Sequence, residues 1–306
     1  MRQERDAQLF PADNCSRQAT AVSSAAASAQ AVTPQMRCIV ASWLSEVAAE
    51  FRLQQETLFL AVRLLDRFQA VSPAGVPRNV LQLVAVACMM VASKQDEVSH
   101  PSVDDFTEIA ADAFQRDDLL RMERLLLDQL EWRVQLPTAY TFLHVFAQAL
   151  SGRLSRRAIA LSAYLSEVSL LDHLLAATPP SLVAAAALAV AAAWHGGGGG
   201  GDVVAALRAA TGYSAAELAP VAARLLHLLH CAGAADAAPA HQPLVFVREK
   251  YAHESWLCIS RQDAAGAAAT AAALGLSLGT AVGAGLPYQP HPVAPQWHAQ
   301  PAVVAA

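Results

Sequence analysis

The side chains with a spacing nearest to chemistry are His227, His230 and Cys231, three and four residues apart along one helical stretch. Two imidazoles and a thiolate on one helix could begin a zinc site. The surrounding pattern instead reads as a surface-facing histidine pair beside a buried thiol, so neither a metal nor any other cofactor is expected. No G-x-S-x-G, no H-E-x-x-H and no carboxylate pair in a polar stretch occurs, so no enzymatic activity is expected of the chain. More telling are charges set in apolar surroundings. Arg37 sits in M-R-C-I-V-A-S-W-L and Asp66 in L-L-D-R-F. If the two pair, each desolvated charge has its partner and two helices are tied together; if they do not, both point to solvent, and spacing alone leaves both readings open.

The element that carries Arg37 is a helix from Met36 to Phe51. Met36, Ile39, Val40, Trp43, Leu44, Val47 and Phe51 repeat at the spacing of one wide helical face, and Thr33-Pro34 supplies a capping hydroxyl followed by a first-turn proline. A second helix over residues 54–70 carries Asp66 and stops at Ser72-Pro73-Ala74-Gly75. Val80 to Ser93 is apolar all round, as a buried central helix should be. Ser102-Val103-Asp104-Asp105 reads as a capping box opening a short fourth helix, and Asp117 to Leu130 forms a fifth with Leu119, Leu126 and Leu130 inward. Lys94, at the end of the third helix, complements the negative end of its dipole.

After Pro137 the plan repeats. Leu170-Leu171-Asp172-His173-Leu174 echoes Leu64-Leu65-Asp66-Arg67-Phe68, and Leu182 to Ala186 echoes Leu83 to Ala87. Pro179-Pro180-Ser181 begins the second alanine-rich helix, and His195 with the six glycines behind it ends that helix in a surface loop. Ser214-Ala215-Ala216-Glu217 caps the last helix, which runs to about Cys231. The expected organisation is all-α: a disordered leader over 1–33, a first five-helix unit over 34–135, a second over 136–259, and a disordered Ala/Gly/Pro-rich tail over 260–306.

Composition excludes several classes. A net charge of -5 provides no basic footprint for nucleic acid. The longest wholly apolar run, Leu182 to Trp194, has 13 residues, too few to span a bilayer, so no membrane contact is expected. Five scattered cysteines without a C-x-x-C pair argue against a disulfide framework and for a reducing compartment. Of the 21 Lys and Arg residues, only Lys94 and Lys250 are lysines.

Met36-Arg37-Cys38-Ile39-Val40 with Trp43 and Glu46 resembles the opening helix of the cyclin box, and Leu65-Asp66-Arg67-Phe68 resembles the family's second-helix signature. The likeness continues in order through Leu81-Gln82-Leu83-Val84, Ala92-Ser93-Lys94, Met122-Glu123, Pro137-Thr138 and Val247-Arg248-Glu249-Lys250-Tyr251. This resemblance, nearest to the A/B group, implies a two-box cyclin fold with disordered termini. It also implies a non-catalytic activating subunit of a cyclin-dependent serine/threonine kinase, controlling cell-cycle progression in nucleus and cytoplasm. By the same resemblance Lys94 and Glu123 would bond the kinase backbone beside its αC helix. Met36, Ile39, Val40, Trp43, Glu46, Leu81 and Gln82 would form a patch for basic-x-leucine motifs of substrates and inhibitors, and Arg37 with Asp66 the structural ion pair. Closing residues 247–251 would pack back across the second unit.

Two other classes stand beside this one: a cyclin-fold transcription adaptor binding promoter proteins or DNA, and a folded relative that binds no kinase. The uncharged run from Leu174 to Gly201 speaks against the adaptor. Residues 1–33 hold no R-x-x-L and no K-E-N, and neither end holds a lysine. Ordinary lysine-directed, destruction-box clearance of a kinase-bound form is therefore not expected.

Overall fold

The computed structural model describes residues 32–72, 75–111, 113–195, 200–233 and 242–261, with 270 and 274; over these it holds helices and no strand. The first unit comprises α1 (Pro34–Glu50), α2 (Gln55–Val71), α3 (Leu81–Asp96), α4 (Val103–Ile109) and α5 (Arg116–Gln129). The second comprises α6 (Ala139–Ala149), α7 (Arg156–Ser169), the one-turn α8 (His173–Ala176), α9 (Pro180–His195), α10 (Gly200–Thr211) and α11 (Ala215–Gly233), followed by α12 (Gln242–Tyr251). The leader, the Pro73-Ala74 turn, most of the glycine run and most of the tail lie outside the described residues.

Local chemistry explains the helix ends. The Thr33 hydroxyl accepts from the Met36 amide at 3.2 Å, and Pro34 fills the first helical position. At the other end Arg52 turns left-handed (φ 54°) and the Leu53 amide returns to the Ala48 carbonyl at 2.8 Å, closing the last turn. The box at Ser102 is complete, with Asp105 accepting from the Ser102 amide at 2.7 Å and Ser102 accepting from the Asp105 amide at 3.2 Å. Glu217 accepts from the Ser214 amide at 2.8 Å in the same way. At the start of α5 the Asp118 carboxylate also accepts from the Gln115 amide, at 3.1 Å, a contact with no counterpart in the sequence reading.

Each unit is built round one helix. α3 is buried without interruption from Val84 to Ser93, packed by α2 and α5. α9, also 16 residues long, is buried from Val183 to Ala192 among α6, α7, α10 and α11. Alanine makes this possible in α9, since small side chains let four neighbouring helices approach one axis.

The structure corrects three expectations. The echo of Asp66 at Asp172 is not positional: Asp66 lies inside α2, whereas α7 ends at Ser169 and Asp172 caps α8, accepting from the amides of Leu174 and Leu175 at 2.9 and 3.0 Å. The glycine run is not loop throughout, because α10 begins at Gly200 and buries Val203 and Leu207. Burial of those apolar residues outweighs the poor helix propensity of glycine. Finally, α12 crosses α1 of the first unit as well as α7 and α11 of the second.

Candidate functional site

Lys94 stands in the last turn of α3 and Glu123 in the middle of α5, side by side on the surface of the first unit. The Lys94 ammonium donates to Glu123 Oε1 at 2.6 Å; the side chains are 36% and 15% exposed. Leu120, one turn before Glu123 on the same helical face, is also exposed. One N–H of Lys94 is thus committed within the chain. Two donors and the second carboxylate oxygen are available to a partner's backbone carbonyls and amides.

The candidate docking residues lie along α1 and the start of α3, which pack on each other. Val40 and Leu81 are core, 4% and 1% exposed. Met36, Ile39, Trp43 and Gln82 are half-buried and Glu46 is exposed. The arrangement is an apolar floor with a partly open rim carrying one acid. α12 covers the adjoining strip of α1, where the Ser42 hydroxyl donates to the Pro243 carbonyl at 2.7 Å, and leaves the Ile39–Trp43–Glu46 strip uncovered.

Two buried charge clusters hold the units in register behind these surfaces. In the first, Arg37 Nε and Nη2 donate to the two oxygens of Asp66 at 2.6 and 2.7 Å, and Nη1 donates to the Leu170 carbonyl of the second unit at 2.8 Å. Burial weakens the charge of Arg37, but Asp66 outweighs it and holds the guanidinium above its ordinary pKa. Burial also pushes the neighbouring Cys38 thiol up to about 12, against the pull of Arg37. Arg37, Asp66 and Leu170 line a cleft between the units with Phe59, Thr138 and Val183.

The second cluster centres on Glu167 of α7, which has no exposed surface. Lys250 donates to both its oxygens at 2.9 Å, and the Tyr251 hydroxyl donates to Oε2 at 2.9 Å. The Gln55 amide of α2 lies 2.7 Å from Lys250 Nζ and 3.2 Å from Glu167 Oε2, its oxygen facing the ammonium and its nitrogen the carboxylate. Three helices from both units thus meet on one carboxylate. A third pair, Arg224 to Asp172, joins α11 to the α8 cap, with Nε donating at 2.8 Å. Burial holds the adjacent His173 imidazole below its ordinary pKa, Asp172 opposing and Arg224 adding to the effect.

The sequence reading singled out Lys250 but not Glu167 or Gln55, and it anticipated the Arg37–Asp66 pair without its third partner. An isolated acid in S-A-Y-L-S-E-V-S-L is the same kind of signal as Arg37 and could have flagged Glu167. His227 and Cys231 approach at 3.6 Å while His230 points to solvent, and no group of three or more potential metal ligands occurs among the described residues. No described helix is long and apolar enough to cross a membrane.

Comparison with known proteins places this geometry. The family model for the cyclin N-terminal domain matches residues 12–135, and that for the cyclin C-terminal domain matches residues 137–265. Human Cyclin-A1 is 37% identical over 236 residues, 76% of this chain and 47% of its own length. Cyclin-A1-2 of Arabidopsis thaliana is 40% identical over 147 residues, 47% of this chain and 33% of its own. Cyclin-B2-2 of the same plant is 38% identical over 148 residues, 48% of this chain and 34% of its own. The chain spans less than half the length of these curated relatives. Two tandem helical units, each built round a buried central helix and each matched by its own half of the family, make this chain a member of the cyclin family.

Proposed function

We propose that this chain is the non-catalytic activating subunit of a cyclin-dependent serine/threonine kinase, working in the nucleus and cytoplasm during the cell cycle. The observation that carries the proposal is the juxtaposition of Lys94 and Glu123, one cation and one acid on a partly open surface beside exposed Leu120. Such a pair can bond a partner's carbonyls and amides at once, while the leucine is covered. In protein kinases a Lys–Glu ion pair between strand β3 and αC must be assembled before phosphoryl transfer. A partner that binds the αC-in state better shifts the kinase toward it, and moving a 1:99 equilibrium to 99:1 needs a preference of about 10⁴.

In this reading the Met36, Ile39, Trp43, Glu46 and Gln82 strip, over a floor of Val40 and Leu81, seats the leucine of basic-x-leucine motifs in substrates or inhibitors. Glu46 faces the basic residue. The transcription-adaptor alternative gains no specific support. The uncharged Leu174–Gly201 run, set against it earlier, has its middle, Val183 to Ala192, in the core, where it says nothing about surface charge. Co-purification of the tagged chain with kinases from its native cell tests the proposal. A cyclin-dependent kinase should be retained and should lose retention when Lys94→Glu and Glu123→Lys are combined; retention of promoter factors alone would overturn it.

A further inference from the structure

We propose that Lys94 is the only lysine of this chain open to acyl transfer in the folded state, and that a kinase seated on the Lys94–Glu123 surface closes it. The first half rests on geometry alone; the second rests on the function proposed above.

The two lysines have opposite surroundings. The Lys250 ammonium has three N–H bonds, and the geometry occupies all three: both oxygens of Glu167 at 2.9 Å and the Gln55 amide oxygen at 2.7 Å. Its side chain is 20% exposed and packs 5.7 Å above the Tyr251 ring, and the carboxylate it neutralises is fully buried. An amine attacks only after losing its proton, so acylating Lys250 would leave the Glu167 anion in the interior without its cation. Lys94 makes one contact, to Glu123, and is 36% exposed. Freeing it breaks a surface pair of the kind that contributes little.

The acyl donor that fits is a thioester, the activated form in which ubiquitin-like modifiers are carried. The Lys94 ammonium releases a proton to solvent, and the neutral amine attacks the thioester carbonyl carbon. A C–N bond forms as the C–S bond breaks, the leaving thiolate takes up the second proton shed by the nitrogen, and a neutral amide and a thiol remain. That product cannot keep the ion pair with Glu123. Modification and kinase binding at this surface therefore exclude each other, and the partner that the surface serves also shields the one open lysine.

The test uses the full chain and sulfosuccinimidyl acetate at limiting concentration, with acetylation followed by peptide mapping. Lys94 should react on the order of tenfold or more faster than Lys250, because one surface hydrogen bond must open to free its amine and three must open at Lys250. In urea the two rates should converge. Lys94→Arg should abolish the fast lysine product, while Lys250→Arg, which keeps a cation beside Glu167, should leave it. Equal rates in the folded protein, or Lys250 reacting first, would overturn the first half. With a cyclin-dependent kinase that co-elutes with the chain, Lys94 should slow by a similar factor. A co-eluting complex in which Lys94 keeps its free rate would overturn the second half and spare the kinase reading. Failure of every such kinase to co-elute would instead remove the kinase reading and the second half together, leaving the first to the acetylation ratio.

Discussion

Removing Asp66 should damage the protein more than any surface substitution, because the carboxylate holds a guanidinium that joins both units. The Arg37 side chain is 7% exposed and that of Asp66 18%, and two donor–acceptor pairs at 2.6 and 2.7 Å link them. Asp66→Ala deletes both and leaves Arg37 buried with only the Leu170 carbonyl, a loss of about 3 to 5 kcal/mol. Asp66→Asn keeps one acceptor of the right shape and loses one charge-assisted bond, about 1.5 to 3 kcal/mol. For a chain of this size each kcal/mol moves Tm by roughly 2 to 4 °C. Urea denaturation followed by far-UV circular dichroism measures both variants, and combining Asp66→Ala with Arg37→Met gives the coupling. The double variant should be less destabilised than the two single losses added, since the uncompensated charge is gone. Losses within about 0.5 kcal/mol of the parent for both single variants, the range of ordinary surface changes, would show the pair to be solvated and the register argument wrong.

Further outcomes follow from the same geometry. Lys250→Ala should cost about 3 to 5 kcal/mol by stranding Glu167, and Lys250→Met with Glu167→Gln should recover part of it, as thermal unfolding will read. His173 is held below its ordinary value of 6.5, so the unfolded chain takes that proton first. Stability should be complete above about 6.5 and decline as pH falls through the window below it; His173→Gln should flatten that slope, and an unchanged slope would assign it elsewhere. Trp43→Ala should lose binding of basic-x-leucine peptides by fluorescence anisotropy while phosphorylation of short substrates lacking the motif persists; equal losses of both would remove Trp43 from a docking role.

Much of the fold was legible because its signals are local. Thr33-Pro34, the Ser102 and Ser214 boxes and the all-round apolar character of α3 each act within one or two turns, and each stands where the pattern put it. What escaped depends on distant segments. The Leu170 carbonyl that completes Arg37 carries no side-chain signature and is 133 residues away. Glu167 and Lys250 are 83 residues apart, and which lone charges meet is decided by how the units dock. α10 was missed because glycine's weak propensity is a local signal, overridden here by the burial of Val203 and Leu207. The Lys94–Glu123 contact was not anticipated: the resemblance implied only that both residues would bond a kinase, and spacing by itself supported no more than a helix-end cation.

The central claim is activation, and phosphoryl transfer measures it directly. A purified cyclin-dependent catalytic subunit should gain kcat/KM on a short serine substrate when the chain is added. Lys94→Glu with Glu123→Lys inverts the pair but preserves its charge complementarity, so the variant should melt within about 2 °C of the parent, as expected for an exposed pair worth under 1 kcal/mol. The account predicts that this folded variant fails to activate. A parent chain that leaves the kinase unchanged, or an inverted variant as active as the parent, would contradict it.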